Sequence, residues 1–112
     1  MFFLVSAEKD IERWKRVKEE RFGRVEAVLA RNGFARKSTR GSHFVFRNRT
    51  IEKYCKVLPE YFLRDVCPDG SLVIVQHGNS VKRCYLLRAA GILEKLSEIM
   101  ELEEKILSGQ AA

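Results

Sequence analysis

Only two side chains in this 112-residue sequence, His43 and His77, carry imidazoles, the group that exchanges a proton near neutral pH without help from its surroundings. His43 belongs to the tripeptide Gly41-Ser42-His43 and lies inside a block of unopposed positive charge. Between Arg31 and Arg49 stand six basic residues (Arg31, Arg36, Lys37, Arg40, Arg47, Arg49) and no carboxylate, while the rest of the chain holds 15 basic and 15 acidic residues. The whole formal charge of +6 is therefore gathered around one histidine.

An imidazole among cations suits chemistry on RNA. The 2′-hydroxyl is a built-in nucleophile: a base must take its proton, cations must stabilise the phosphorane, and an acid must protonate the departing 5′-oxygen. A positioned histidine contributes about 10² to 10⁴ in rate to such transfers. Arg40, Arg47 or Lys37 would clamp the phosphate, guanidinium being the better bidentate partner. Arg36 and Arg49 extend the same basic stretch, and counterion release from such a surface supports non-specific binding of roughly 10⁻⁴ to 10⁻⁶ M. Gly41 would let the backbone approach the phosphate, and the Ser42 hydroxyl would donate to it. His77 is a candidate general acid, although its spacing does not place it near His43 and a histidine satisfied by backbone is an equal reading. Taken alone, Gly-Ser-His is also compatible with a strand-edge histidine on a solvated basic face.

Other chemistries lack their parts. The sequence has no H-x-x-x-H, H-E-x-x-H, cysteine quartet or acidic cluster for a metal, and no G-x-x-x-x-G-K or G-x-G-x-x-G for a nucleotide. A metal-independent mechanism without cofactors is expected. Cys55, Cys67 and Cys84 are odd in number and lack C-x-x-C spacing, which argues against a zinc site or a disulfide framework and fits a reducing cytoplasm. The apolar run Met1–Val5 is too short for a signal peptide or a membrane span.

These residues need elements to position them. Ser6 to Asn32 reads as one long helix, or two meeting near Gly23, with Ile11, Trp14, Phe22, Val25, Val28 and Leu29 on the apolar face, Ser6 as N-cap and Asn32-Gly33 as the stop. The plain reading of Trp14 is a core aromatic. Past Gly33 the period changes to two: Phe34–Ser38 and His43–Arg47 read as strands joined by Thr39-Arg40-Gly41-Ser42, with Phe44 and Phe46 inward and His43, Val45 and Arg47 outward. Ile51, Tyr54, Cys55 and Leu58 suit a short helix ended by Pro59, with Glu60–Val66 as a strand. Cys67-Pro-Asp-Gly70 is a turn and Ser71–Gln76 a strand. After the loop His77-Gly-Asn-Ser80, Ser80 would cap a helix from Val81 to about Ser108 that packs Leu86, Leu87, Ala90, Leu93, Leu96, Ile99, Met100, Leu102 and Ile106 on the sheet, with Gly91 as a kink. One α+β domain follows, a small antiparallel sheet with its N- and C-terminal helices on one face.

Three ordered motifs carry a family resemblance: Asn32-Gly33-Phe34 followed by Arg36-Lys37, then Gly41-Ser42-His43, then Leu72–Gly78 with Leu87-Arg-Ala-Ala-Gly-Ile92. Over about residues 21 to 93 the chain resembles the HicA family of toxin mRNA interferases. The resemblance implies a double-stranded-RNA-binding-like fold, metal-independent cleavage of mRNA in the cytoplasm with the histidine at position 43 as the catalytic residue, and neutralisation by a HicB-like antitoxin. The chain departs from the family at Val75, where a proline is usual, and at Val81-Lys82, where Gly-Thr is. Against this pattern, residues 50–67 look like an insertion, and residues 1–20 and 94–112 extend both ends, offering surface for a homodimer or a different partner. A non-catalytic RNA-binding module of the same fold, or a protein-interaction domain, is the alternative.

Overall fold

The computed structural model describes residues 2–109. Helix α1 (Phe2–Arg16) is followed by strand β1 (Glu19–Arg21), α2 (Phe22–Arg31), β2 (Ala35–Arg40), β3 (His43–Arg47), α3 (Arg49–Val57), α4 (Pro59–Phe62), β4 (Leu72–His77), β5 (Ser80–Lys82) and α5 (Arg83–Leu107). The strands form one antiparallel sheet in the order β1-β5-β4-β3-β2. From the sheet, Phe44, Phe46, Leu72, Ile74 and Val81 join Val25, Val28 and Leu29 of α2 and Leu86, Ala89, Ala90 and Leu93 of α5 in a single core. The architecture is α+β, as the alternation of periods requires. No helix among the described residues is long and apolar enough to cross a membrane.

The β2–β3 hairpin follows from its residues. His43, Val45 and Arg47 are exposed or half-buried and Phe44 and Phe46 buried, because a pleated strand sends alternate side chains to opposite faces. Both two-residue hairpin loops, Gly41-Ser42 and Gly78-Asn79, begin with a glycine at φ +60°. Type II′ turns need that conformation, and their twist matches the flanking strands.

Several expectations are corrected. Of the two readings of Ser6–Asn32 the two-helix one holds, α2 starting at Phe22 beside Gly23, but the helices do not meet: β1, a strand too short to show a period, separates them, and α1 begins at Phe2, so Ser6 does not start it. The short helix α3 does end ahead of Pro59, at Val57 with Leu58 as its C-cap, but Glu60–Val66 is not a strand: Pro59 opens a new helical turn, as proline does at a first helical position, and Phe62 and Val66 are buried four residues apart. Ser80 does not cap α5 but pairs with His77 and Arg21 in β5. Thr39 and Arg40 belong to β2, so the loop is only Gly41-Ser42. Leu58, Leu87, Leu102 and Ile106 are exposed, not packed. Gly91 does not break α5; a Cβ there would stand 3.0 Å from Asp65 Cγ, so glycine lets the Asp65–Lys95 ion pair (2.5 Å) lie against the helix.

The segment over residues 49–66 folds onto the distal half of α5. Ile51, Cys55, Phe62 and Val66 enter the core, and Tyr54 and Tyr61 donate hydrogen bonds to Glu103 and Glu98. The Glu98 carboxylate holds the Tyr61 phenol up at about 12. On the other side of α5 lies α1, whose Trp14 is fully buried as expected.

Candidate nucleic-acid interface

Strands β2 to β5 make two adjacent hairpins whose loops lie at one end of the sheet, and each loop adjoins a histidine. His43 follows Gly41-Ser42, and His77 precedes Gly78-Asn79. In the β3–β4 register His43 stands opposite Val75, so His77, two residues on, is its diagonal neighbour on the same face. Such neighbours lie about 7–8 Å apart, close enough for one phosphodiester to touch both imidazoles. The pairing is continued to the loop by Gln76 N–H, which donates to the Ser42 carbonyl at 2.9 Å. Val75, 5% exposed although it faces away from the helices, forms the floor between them.

Arg40 lies directly across from His43 on the edge strand and has no ion-pair partner among the described residues. On the other flank, Arg21 pairs with Ser80, and Ser80 with His77, so Arg21 shares the face of the imidazoles. It too has no ion-pair partner among the described residues. One carboxylate stands on this face nearby: Glu19, held by Lys82 at 3.0 Å and by the Ser80 hydroxyl, which together keep it below the usual carboxylate range.

The remaining basic residues of the 31–49 block disperse. Arg36 is turned to the helical side, its guanidinium over Phe44 and Phe22 at 4.7 and 5.8 Å and ion-paired with Glu26 of α2. It is thus not beside His43, because a bulge between Arg36 and Ser38 reverses which residues of β2 face out. Arg47 shares His43's face but is bound by Glu52 of α3. Lys37, in the bulge, adds its charge to the Ser71 hydroxyl and amide, which chiefly hold Asp69 below the usual carboxylate range. Arg31 is bound to Asp10 at 3.0 Å. Arg49 is exposed in the first turn of α3, beyond the far end of β3. Of the six cations only Arg40 is at the histidines; Gly41 and Ser42 accompany it in the turn.

Residues the sequence reading did not single out complete the rim. The β4–β5 hairpin is tied to α2 by Phe22 N–H, which donates to the Asn79 carbonyl at 2.7 Å. Between them opens a recess of about 540 Å³ lined by Arg21, Phe22, Gly23, Arg24, Gln76 and Asn79. The Gly78-Asn79 pair after a strand was the available signal for this hairpin, whereas nothing in the sequence separates Arg21 from the surrounding helical pattern. No cluster of three or more His, Cys, Asp or Glu side chains suited to a metal occurs among the described residues. Burial, with a smaller contribution from Asp69, pushes the Cys55 thiol up and away from nucleophilic use.

In comparisons with known proteins, no family model, no curated protein and no solved structure matches the chain.

Proposed function

We propose that the protein is a HicA-like mRNA interferase, a metal-independent endoribonuclease with a double-stranded-RNA-binding-like fold that acts in the cytoplasm and is held in check by a HicB-like antitoxin. The observation that carries the reading is the juxtaposition of His43 and His77 on one exposed sheet face, with Arg40 beside His43. Two imidazoles a phosphodiester apart are the acid–base pair that RNA transesterification needs. His43 takes the proton of the 2′-hydroxyl as the 2′-oxygen attacks phosphorus. His77, protonated, delivers its proton to the 5′-oxygen as the P–O5′ bond breaks. Arg40 holds the non-bridging oxygens on which charge accumulates. The products are a 2′,3′-cyclic phosphate and a 5′-hydroxyl.

The test is incubation of a long single-stranded RNA in EDTA with wild-type and His43→Ala protein, with the new ends analysed. Cleavage to 2′,3′-cyclic phosphate by wild type, reduced about 10² to 10⁴-fold in the variant, is the expected result. Equal cleavage by both would sink the mechanism.

One observation favours a second reading. Neither imidazole has a hydrogen-bond partner among the described residues, whereas a catalytic histidine is usually oriented by one. A non-catalytic RNA-binding module of the same fold is the outcome if RNA binds in a salt-dependent way and remains intact.

A further inference from the structure

We infer that the recess between the start of α2 and the β4–β5 hairpin is a nucleotide subsite. It takes the residue on the leaving-group side of the scissile phosphate: Arg21 on the next phosphate, and the amides of Gln76 and Asn79 on the edge of the base. The inference rests on the proposed ribonuclease reading for its direction along the strand.

The direction follows from the sheet. If His43 serves the 2′-oxygen and His77 the 5′-oxygen, the chain leaving the site 3′ to the cut passes from β4 toward β5 and β1. The first groups it meets on that path are Ser80 and Arg21, which stand in register with His77; the base then turns over the loop end at Asn79 into the recess, because Gln76, paired with buried Val81, lies on the helical side of the sheet. Adjacent strands are about 4.8 Å apart, so Arg21, two strands beyond His77, lies roughly 10 Å away, within the reach of the neighbouring phosphate for a long side chain. It is exposed and has no ion pair among the described residues.

The recess itself has the size and chemistry for a base. Its volume of about 540 Å³ falls in the range of small-molecule sites. Gly23 leaves its mouth open, since a Cβ there would meet nothing within 4 Å. The Gln76 and Asn79 side chains make no hydrogen bond among the described residues, although the backbone of both is fixed: Gln76 N–H to Ser42, Asn79 carbonyl to Phe22. An amide with both a donor and an acceptor free, on a backbone that cannot drift, can discriminate between base edges. Arg24, the other cation here, is turned to Glu20 at 3.3 Å and Asp10 at 3.7 Å and belongs to the wall.

The subsite is tested with 2′-O-methyl homopolymers of the four bases, which cannot form the attacking 2′-alkoxide, bound to wild type and to Arg21→Ala, Gln76→Ala, Asn79→Ala and Arg64→Ala by fluorescence anisotropy at several salt concentrations. Cleavage of unmodified RNA is followed in parallel. Wild type should separate its best and worst homopolymer by roughly fivefold or more. Gln76→Ala or Asn79→Ala should compress that spread. Arg21→Ala should weaken all four and lower the salt slope by about 0.7, with Arg64→Ala as the unaffected control. If all three variants keep the wild-type spread and slope, the subsite is wrong, and the ribonuclease reading stands or falls separately on whether unmodified RNA is cut. If the spread and slope change as expected but no RNA is cut, the subsite is upheld as a binding site and the catalytic reading fails.

Discussion

At the seam between α1, β1 and α2, arginines surround buried carboxylates, whereas at the hairpin rim arginines meet none. Arg13, at 2.5 Å, and Arg24 hold Glu20, and Arg24 and Arg31 hold Asp10; the two carboxylates are only 5% and 8% exposed. Arg40 and Arg21, of the same residue type, face His43 and His77 with no carboxylate of their own. At the seam the cations offset the cost of burying anions and lock α1 to the domain, since an unpaired buried charge is strongly destabilising. At the rim the charge has no ion pair among the described residues. A count of basic residues therefore says how much positive charge there is, and only the pairing says where it is available.

The sharpest way to break this contrast is at the rim. If the two imidazoles act as one unit, His43→Ala and His77→Ala each lower cleavage about 10² to 10⁴-fold, and the double variant is little slower than the worse single one, because residues that act together are not additive. Independent, multiplying effects in single-turnover assays would separate the two histidines and dissolve the site.

The seam responds in stability instead. Burial opposes ionisation of Glu20, but the Arg13 guanidinium, the Arg21 amide and the charge of Arg24 outweigh it and hold the carboxyl below its ordinary value. A carboxyl lowered in the folded state contributes stability above its unfolded pKa of about 4.3 and loses it as pH falls through the lower folded value. Glu20→Gln should cost about 1.5–3 kcal/mol near neutral pH, the usual loss for a hydrogen bond to a charged group. It should also flatten the acid limb of a urea-denaturation series while leaving RNA affinity unchanged. A steeper acid limb in the variant would contradict the assignment.

The smallest effect is the most diagnostic for the comparison. Arg36→Ala removes an ion pair and two aromatic contacts on the helical side, so it should lower stability by about 1 kcal/mol and leave the salt slope of RNA binding in place. Arg40→Ala should do the reverse, sparing the melting curve and lowering the slope by about 0.7. Thermal melts and salt titrations of both variants check the crossing, and a loss of slope in Arg36→Ala would return that residue to the interface.

The sequence by itself determined the class of fold, the partition of the first hairpin and the core. A period of two in His43–Arg47 sends Phe44 and Phe46 inward and His43 outward whatever surrounds them, and the glycine in the loop accepts the φ of +60° that the turn demands. Helical spacing likewise placed Trp14, Val25, Leu29, Leu93 and Leu96 inside. The tertiary structure alone decided that His43 and His77 are diagonal neighbours, because strand register depends on pairing between segments 34 residues apart and leaves no local trace. It alone bound Arg31, Arg36 and Arg47 to Asp10, Glu26 and Glu52 of other elements and left Arg40 as the one arginine of the acid-free block beside the histidines. And it alone created β1, three residues with no period of their own, which are a strand only because β5 offers them an edge.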